Sequence, residues 1–287
     1  MRCAAIDIGT NSCRLLICEQ AGDNMLKIDE RLETTRIGEA MAETGSLNPQ
    51  AIDRTCACLT RFREQLEKYK VSHYRAVATC AVRESHNAQE FVDRALMQSG
   101  IKVEIIDGNE EAYLSYLGVK EGLNMAAAPL VVDLGGGSCE FILKNENSFL
   151  VSIPVGAVRA TESNMSALDI VEKLSFVASQ KERFKNHPLV LVGGTATTLV
   201  AVKLALEVYR PELVHGQVLT RQEIADLYNM LERMPLNIRR RLPGLQPERA
   251  DIISKGAMIV LLIVDTLGKE EITVSDSDLL EGIIRSL

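Results

Sequence analysis

The sequence predicts an α/β protein built from two duplicated mixed-sheet halves that face each other across a cleft. Three observations lead there. A strand–turn–strand unit occurs twice at an offset of 126 residues, so that Asp7, Gly9, Ser12 and Cys13 fall on Asp133, Gly135, Ser138 and Cys139, with apolar residues between them. After each copy, strand patterns alternate with helical ones. The length of 287 residues suits about two domains.

Taken in order, residues 3–8 form the first strand, Gly9-Thr10-Asn11 its turn and residues 12–19 the returning strand, with a third strand over 25–36. Ile52, Leu59, Phe62, Leu66 and Tyr69 recur at helical spacing and predict an amphipathic helix. A strand at 74–79, a helix after Asn87, a strand at 103–106 and a helix from Glu110 complete the first half. The second half repeats the opening with a strand at 130–134, the turn Gly135-Gly136-Gly137, a strand over 138–145 and a third strand at 149–154. A helix lies within 168–184, and a strand at 189–192 runs through Gly193-Gly194 into a helix over 195–209. Thr220-Arg221-Gln222-Glu223 reads as a capping box, in which each outer side chain serves a terminal backbone N–H. A long helix (247–267), a short strand (271–275) and a last helix end the chain. The predicted boundary falls in 122–129, giving domains 1–124 and 125–287.

Composition narrows the function. Hydrophobic residues make up 46% and charged residues 25%, which excludes global disorder. Aromatics are 4% with no Trp, and the formal net charge is −7, so a base-stacking nucleic-acid binder is not expected. An anionic substrate would need a local cradle against that field. The early Asp7 argues against a signal peptide, and the longest apolar stretch (257–264) is far below the ~18 residues a membrane span needs. The seven cysteines lie between Cys3 and Cys139 with no metal-ligand spacing, so a reduced, cytoplasmic protein without zinc is expected.

The chemistry concentrates in the turns. Gly9, Thr10, Asn11 and Ser12 offer consecutive backbone N–H groups and hydroxyl or amide donors, the makings of an anion nest. Gly135, Gly136, Gly137 and Ser138 repeat the arrangement with three glycines, which allow a phosphate to approach the backbone closely. One such turn alone reads as a plain hairpin, but two in register, each behind an acid that ends an apolar strand, favour the anion site. Gly194 and Thr195 add donors at a helix N-terminus. Asp7 and Asp133 beside these turns fit Mg²⁺ or its waters, which take hard oxygen ligands. Glu140, seven residues past Asp133 on the returning strand, reads either as a further ligand in the same cleft or as a solvated strand residue. No P-loop, H-E-x-x-H or G-x-S-x-G pattern occurs. Phosphate turns without a P-loop lysine, in a duplicated frame, point to the RNase H-like superfold of actin, hexokinase and Hsp70.

A more specific resemblance rests on five segments in order: Asp7-Ile8-Gly9-Thr10-Asn11-Ser12, Ala78-Thr79-Cys80-Ala81-Val82-Arg83-Glu84, Asn109-Glu110-Glu111-Ala112, Asp133-Leu134-Gly135-Gly136-Gly137-Ser138 and Pro154-Val155-Gly156-Ala157-Val158-Arg159. Together they resemble the exopolyphosphatase/guanosine pentaphosphate phosphohydrolase (Ppx/GppA) family in its short form. The resemblance implies hydrolysis of a terminal phosphoanhydride of inorganic polyphosphate by water, with Mg²⁺ as cofactor. By motif position it makes Glu111 the residue that activates the water. Arg83 is expected to neutralise a phosphate bidentately, with Arg14 and Arg159 as weaker candidates. Guanosine pentaphosphate is the alternative substrate, since it presents the same terminal group. A nucleotide-binding regulator and a kinase of the same superfold are the competing classes. No nucleic-acid or membrane partner is implied, and the expected assembly, if any, is a homodimer.

Three departures from the family pattern stand out. Tyr113 and Leu280 occupy positions where many members carry Arg, which removes positive charge. The chain ends at Leu287 without the helical C-terminal domain of longer members, so processivity on long polymers is expected to be lower. The run Arg239-Arg240-Arg241 reads as a solvated helix end or as a landing strip for distal phosphates.

Overall fold

The computed structural model describes every residue except Gly22, Asp23, Asn124, Ala126, Glu146 and Asn147, and only the backbone at Asn24 and Glu121. The chain forms two compact units, Met1–Gly118 with Leu279–Leu287, and Val119–Asp278.

In the first unit, β1 (Arg2–Ile8), β2 (Cys13–Ala21) and β3 (Asn24–Glu33) form an antiparallel meander. β4 (His73–Ala78) and β5 (Val103–Ile105) add in parallel, giving the order β3-β2-β1-β4-β5. Alternation along β1 sends its side chains to two cores. Ala4, Ile6 and Ile8 join Ile52, Leu59, Phe62 and Leu66 of the helix Pro49–Lys68 and Phe91 of the helix Ala88–Ser99. Cys3 and Ala5 join Leu114 of the helix Gly108–Gly122 and Leu279, Leu280, Ile283 and Ile284 of the helix Leu279–Ser286.

The second unit repeats the plan. β6 (Leu130–Leu134), β7 (Cys139–Leu143) and β8 (Phe149–Ile153) form the meander, and β9 (Leu189–Val192) and β11 (Glu271–Val274) run parallel to β6. A short β10 (Val218–Thr220) pairs antiparallel with β11, so the order is β10-β11-β9-β6-β7-β8. The helix Ile253–Leu267 runs through the centre of this core.

Most elements lie within a few residues of their predicted positions, and the capping box at Thr220 and Glu223 is present at the helix Arg221–Arg233. Elsewhere the structure differs. The helix expected within 168–184 is three short ones, Ala167–Lys173, Ser175–Ser179 and Lys181–Phe184. The helix after Gly193 stops at Lys203, where Ala205 turns left-handed at φ 49°. The long helix begins at Ile253, behind a 3₁₀ turn at Pro247–Arg249.

The units divide six residues before the predicted boundary, inside the helix Gly108–Gly122. The predicted boundary residue Asn124 lies outside the described residues. The larger correction is that the last helix belongs to the first unit, not the second. Its apolar side covers β1 and β2, and it sits against Leu114 so closely that a Cβ on Gly282 would lie 1.8 Å from the Leu114 carbonyl oxygen. An amphipathic helix at a chain end does not declare which of two sheets it will cover.

Candidate active site

In the first unit the candidate residues gather at the carboxyl ends of β1, β4 and β5, where ligands bind in open α/β sheets. The Gly9 N–H donates to the Ser12 carbonyl at 3.0 Å, closing the turn. The carbonyls of Thr10 and Asn11 accept from the N–H groups of Gly38 (3.0 Å) and Arg36 (2.9 Å). Gly38 is the residue that permits this approach, since a Cβ there would fall 2.3 Å from Thr10 Cγ2. With its carbonyls tied back, the turn offers N–H groups and the buried side chains of Thr10, Asn11 and Ser12. Asn11 Nδ2 donates to Ser12 Oγ at 3.0 Å, and Asn11 Oδ1 is buried with no hydrogen-bond partner among the described residues.

Arg83 and Glu111 meet in this unit. Thr79, which donates its N–H to the Ile8 carbonyl (3.2 Å), starts the short helix Cys80–Glu84 that carries Arg83. Arg83 Nη1 donates to Glu111 Oε2 at 2.8 Å and to the Ile106 carbonyl at 3.0 Å. Glu111 is 8% exposed. Its neighbour Glu110 faces outward instead, accepting from Arg75 at 2.6 Å. Asp107 caps the helix by accepting the N–H groups of Asn109 (2.9 Å) and Glu110 (2.8 Å), a start signal the sequence reading did not use.

The second unit builds its turn the same way. Gly135 N–H donates to the Ser138 carbonyl at 3.0 Å. The start of the helix Ala157–Glu162 then takes the turn's carbonyls: Ala157 N–H donates to Gly135 (3.1 Å), and those of Val158 (2.9 Å) and Arg159 (3.0 Å) to Gly136. Arg159 Nε reaches the Gly137 carbonyl at 2.6 Å, so this arginine buttresses the turn from behind. Gly156 allows the contact, because a Cβ there would stand 2.4 Å from the Gly136 backbone.

Beside this turn, Gly193 sits at φ 95°, where a Cβ would lie 2.6 Å from the Leu134 carbonyl and 3.3 Å from Asp133 Oδ1. The Gly194-Thr195 helix start is thereby brought next to Asp133, with Thr195 buried against Gly256. The Arg249 guanidinium lies over Gly194, since a Cβ there would overlap it at 1.8 Å. Arg249 is 55 residues from Gly194 in the sequence, and only the fold brings it here.

The two copies differ in charge at one matched position. Asp7 stands opposite Arg14 in the β1–β2 register, and Arg14 donates to Asp7 Oδ2 through Nε (3.0 Å) and Nη2 (2.8 Å). At the same offset, Asp133 stands opposite Glu140. Glu140 is 1% exposed and accepts from Ser152 Oγ at 2.6 Å. Burial, followed by the charges of Glu140 and Asp133, pushes the Cys139 thiol well up and keeps it neutral. Among the described residues no three His, Cys, Asp or Glu side chains converge as an all-protein metal cage. Two hard carboxylates side by side, next to a phosphate-type turn, suit Mg²⁺, which keeps several waters and takes one or two protein carboxylates plus substrate oxygens. Asp7, the third expected metal residue, is bonded to the Arg14 guanidinium.

Two further expectations change. Arg239 is buried, donating to the carbonyls of Ala250 and Met234 at 2.9 Å each, so only Arg240 and Arg241 of that run are exposed. Leu280 lies in the apolar cluster under β1, whereas Tyr113 is 42% exposed. No described helix is long and apolar enough to cross a membrane.

Comparison with known proteins gives the family. The Ppx/GppA phosphatase family profile matches residues 16–287. A bifunctional 3-dehydroquinate synthase/phosphatase of Fusobacterium nucleatum is 36% identical over 98% of the chain, which spans 46% of that protein's length. Exopolyphosphatase 2 of Mycobacterium tuberculosis is 35% identical over the whole chain and 98% of its own length. Among solved structures, a Ppx/GppA family member from Aquifex aeolicus superposes with a TM-score of 0.81 at 32% identity, over 100% of this chain and 97% of that one. With the two matched sheets and the paired glycine turns, these likenesses establish that the chain has the two-domain actin-like fold and belongs to the Ppx/GppA phosphatase family.

Proposed function

We propose that this phosphoanhydride hydrolase acts as an exopolyphosphatase, releasing the terminal phosphate of inorganic polyphosphate by attack of a water that Glu111 deprotonates. The observation that supports this most is the matched construction of the two glycine turns. Each has its carbonyls bound from behind, by residues 36–38 in one and 157–159 in the other. A turn so held presents N–H groups, which stabilise charge building on phosphate oxygens at no cost in reorganisation.

In this reading residues 9–12 and 135–138 hold phosphate oxygens, and Gly194, Thr195 and Arg249 hold oxygens further along the substrate. Arg83 fixes the Glu111 carboxylate, because its guanidinium is itself anchored on the Ile106 carbonyl. Oriented in this way, Glu111 takes the proton of the attacking water. Asp133 and Glu140 would hold Mg²⁺, which when bound neutralises charge on the transferred phosphoryl group. The seven cysteines are free and buried, in keeping with a cytoplasmic setting.

Phosphate release from long-chain polyphosphate, guanosine pentaphosphate and ATP, each with and without Mg²⁺, tests this. Metal-dependent release from polyphosphate above the other two is expected. Preference for guanosine pentaphosphate would reassign the substrate, and no release from any of the three would overturn the proposal.

A further inference from the structure

The matched rows of the two sheets differ in a third residue. In the first unit the row across β1, β2 and β3 reads Asp7, Arg14, Leu32. In the second, the row across β6, β7 and β8 reads Asp133, Glu140, Ser152. Where the middle residue is a cation bonded to its acid, its other neighbour is apolar. Where the middle residue is a buried acid beside another acid, its other neighbour supplies a hydroxyl. Ser152 Oγ donates to Glu140 Oε1 at 2.6 Å, a short bond to a residue only 1% exposed.

From this we infer that Ser152 is a positioning residue for the divalent cation. It fixes the Glu140 carboxylate so that Oε1 is engaged from the β8 side and the carboxylate is pre-set toward Asp133. The inference rests on the proposed Mg²⁺ role of Asp133 and Glu140. A rotatable glutamate would lose conformational freedom each time the ion bound. The hydroxyl removes that cost beforehand, as partners behind a ligand do in metal sites generally. Ser152 is the residue opposite Glu140 on the neighbouring strand, and it supplies this donor.

Substitution separates this from a purely structural role. Mn²⁺ serves as the probe, with free ion quantified by electron paramagnetic resonance during titration of the full-length protein without substrate. Ser152→Ala is expected to weaken Mn²⁺ binding about tenfold and to raise the half-saturating Mg²⁺ for phosphate release in parallel. Ser152→Thr, which keeps the hydroxyl, is expected to restore both. Thermal melts identify any loss of fold, and Thr rescue supplies the answer if the alanine variant proves unstable. Wild-type Mn²⁺ affinity in folded Ser152→Ala, or equal weakening by Ala and Thr, would overturn the inference while leaving the metal site intact. Absence of Mn²⁺ binding by the wild-type protein, or binding unaffected by Glu140→Gln, would instead overturn the metal reading beneath it.

Discussion

Arg14 places two of its nitrogens on a single oxygen of Asp7, directly across the β1–β2 ladder, at the very position where the second unit sets Glu140 across from Asp133. The duplicated frame thus carries a self-neutralised pair in one copy and a pair of like charges in the other. Like charges directly opposite in a ladder are destabilising, and in the function proposed above a bound cation would offset that repulsion. The first pair is a matter of stability. Arg14→Met leaves Asp7, 5% exposed, without that guanidinium, and is expected to destabilise the protein by about 3 kcal/mol. Adding Asp7→Asn should recover part of that loss in a denaturation-based double-mutant cycle, whereas additive losses would show that the pair is not coupled.

Glu111→Gln keeps the shape of the side chain and removes the base. Turnover is expected to fall ~10²–10⁴-fold with substrate affinity largely kept. Glu110→Gln should change turnover far less, because that carboxylate is spent on Arg75 at the surface. The comparison is made by steady-state phosphate release together with equilibrium substrate binding, and the reverse pattern would transfer the role to Glu110.

Arg83→Lys preserves the charge but not the fork. A single ammonium cannot reproduce the guanidinium geometry that spans Ile106 and Glu111. The expected result is a fall in kcat on the order of 10²-fold, from a displaced base, with a smaller change in KM. A change confined to KM would make Arg83 a substrate ligand alone.

Gly156→Ala tests the buttress behind the second turn. Its methyl group would meet the Gly136 backbone at 2.4 Å, and backbone cannot swing aside as a side chain can. A loss of about 1–3 kcal/mol in stability is expected, with a raised KM for phosphate substrates because the turn itself must shift. Calorimetry and kinetics on the same preparation check both, and unchanged KM would detach Gly156 from the site.

The arginine run separates into two experiments. Arg239→Ala is expected to cost about 1–3 kcal/mol in stability by stripping the partner from buried carbonyls. Arg240→Ser with Arg241→Ser should leave stability alone. If distal phosphates land there, the double variant raises KM for long chains, spares tripolyphosphate and flattens the salt dependence. An equal change in KM for long and short substrates, or no change for either, would make these arginines plain surface residues.

The sequence made the duplication legible because Asp, Gly and Ser recur at fixed spacing, and that repeat alone marked the strand–turn–strand opening of each sheet; the order of the strands came only with the fold. The turns were visible for the same reason. What holds them was not: Gly38 lies 28 residues from Thr10 and Gly156 lies 20 residues from Gly136, and only tertiary packing shows why a side chain is excluded there. Charge type was readable and partnership was not. Asp7 and Asp133 look alike in one dimension, yet the cross-strand neighbour makes one an ion pair and the other half of an acidic couple. Arg239 misled for a related reason, since three adjacent arginines at the end of a short helix point in different directions and the one still in the helix turns inward.

The return of the helix Leu279–Ser286 to the first unit also sets a schedule for biosynthesis. The first sheet is translated early, but the apolar surface formed by Cys3, Ala5, Leu16 and Val77, covered in part by Ile106 and Leu114, gains the rest of its cover from Leu279, Leu280, Ile283 and Ile284 only when the ribosome has finished about 160 intervening residues. At ~5–20 residues per second that is on the order of ten to thirty seconds. During that interval the nascent first unit exposes a greasy patch for a chaperone to guard, while the second unit, contiguous in the chain, can close its own core as soon as it emerges.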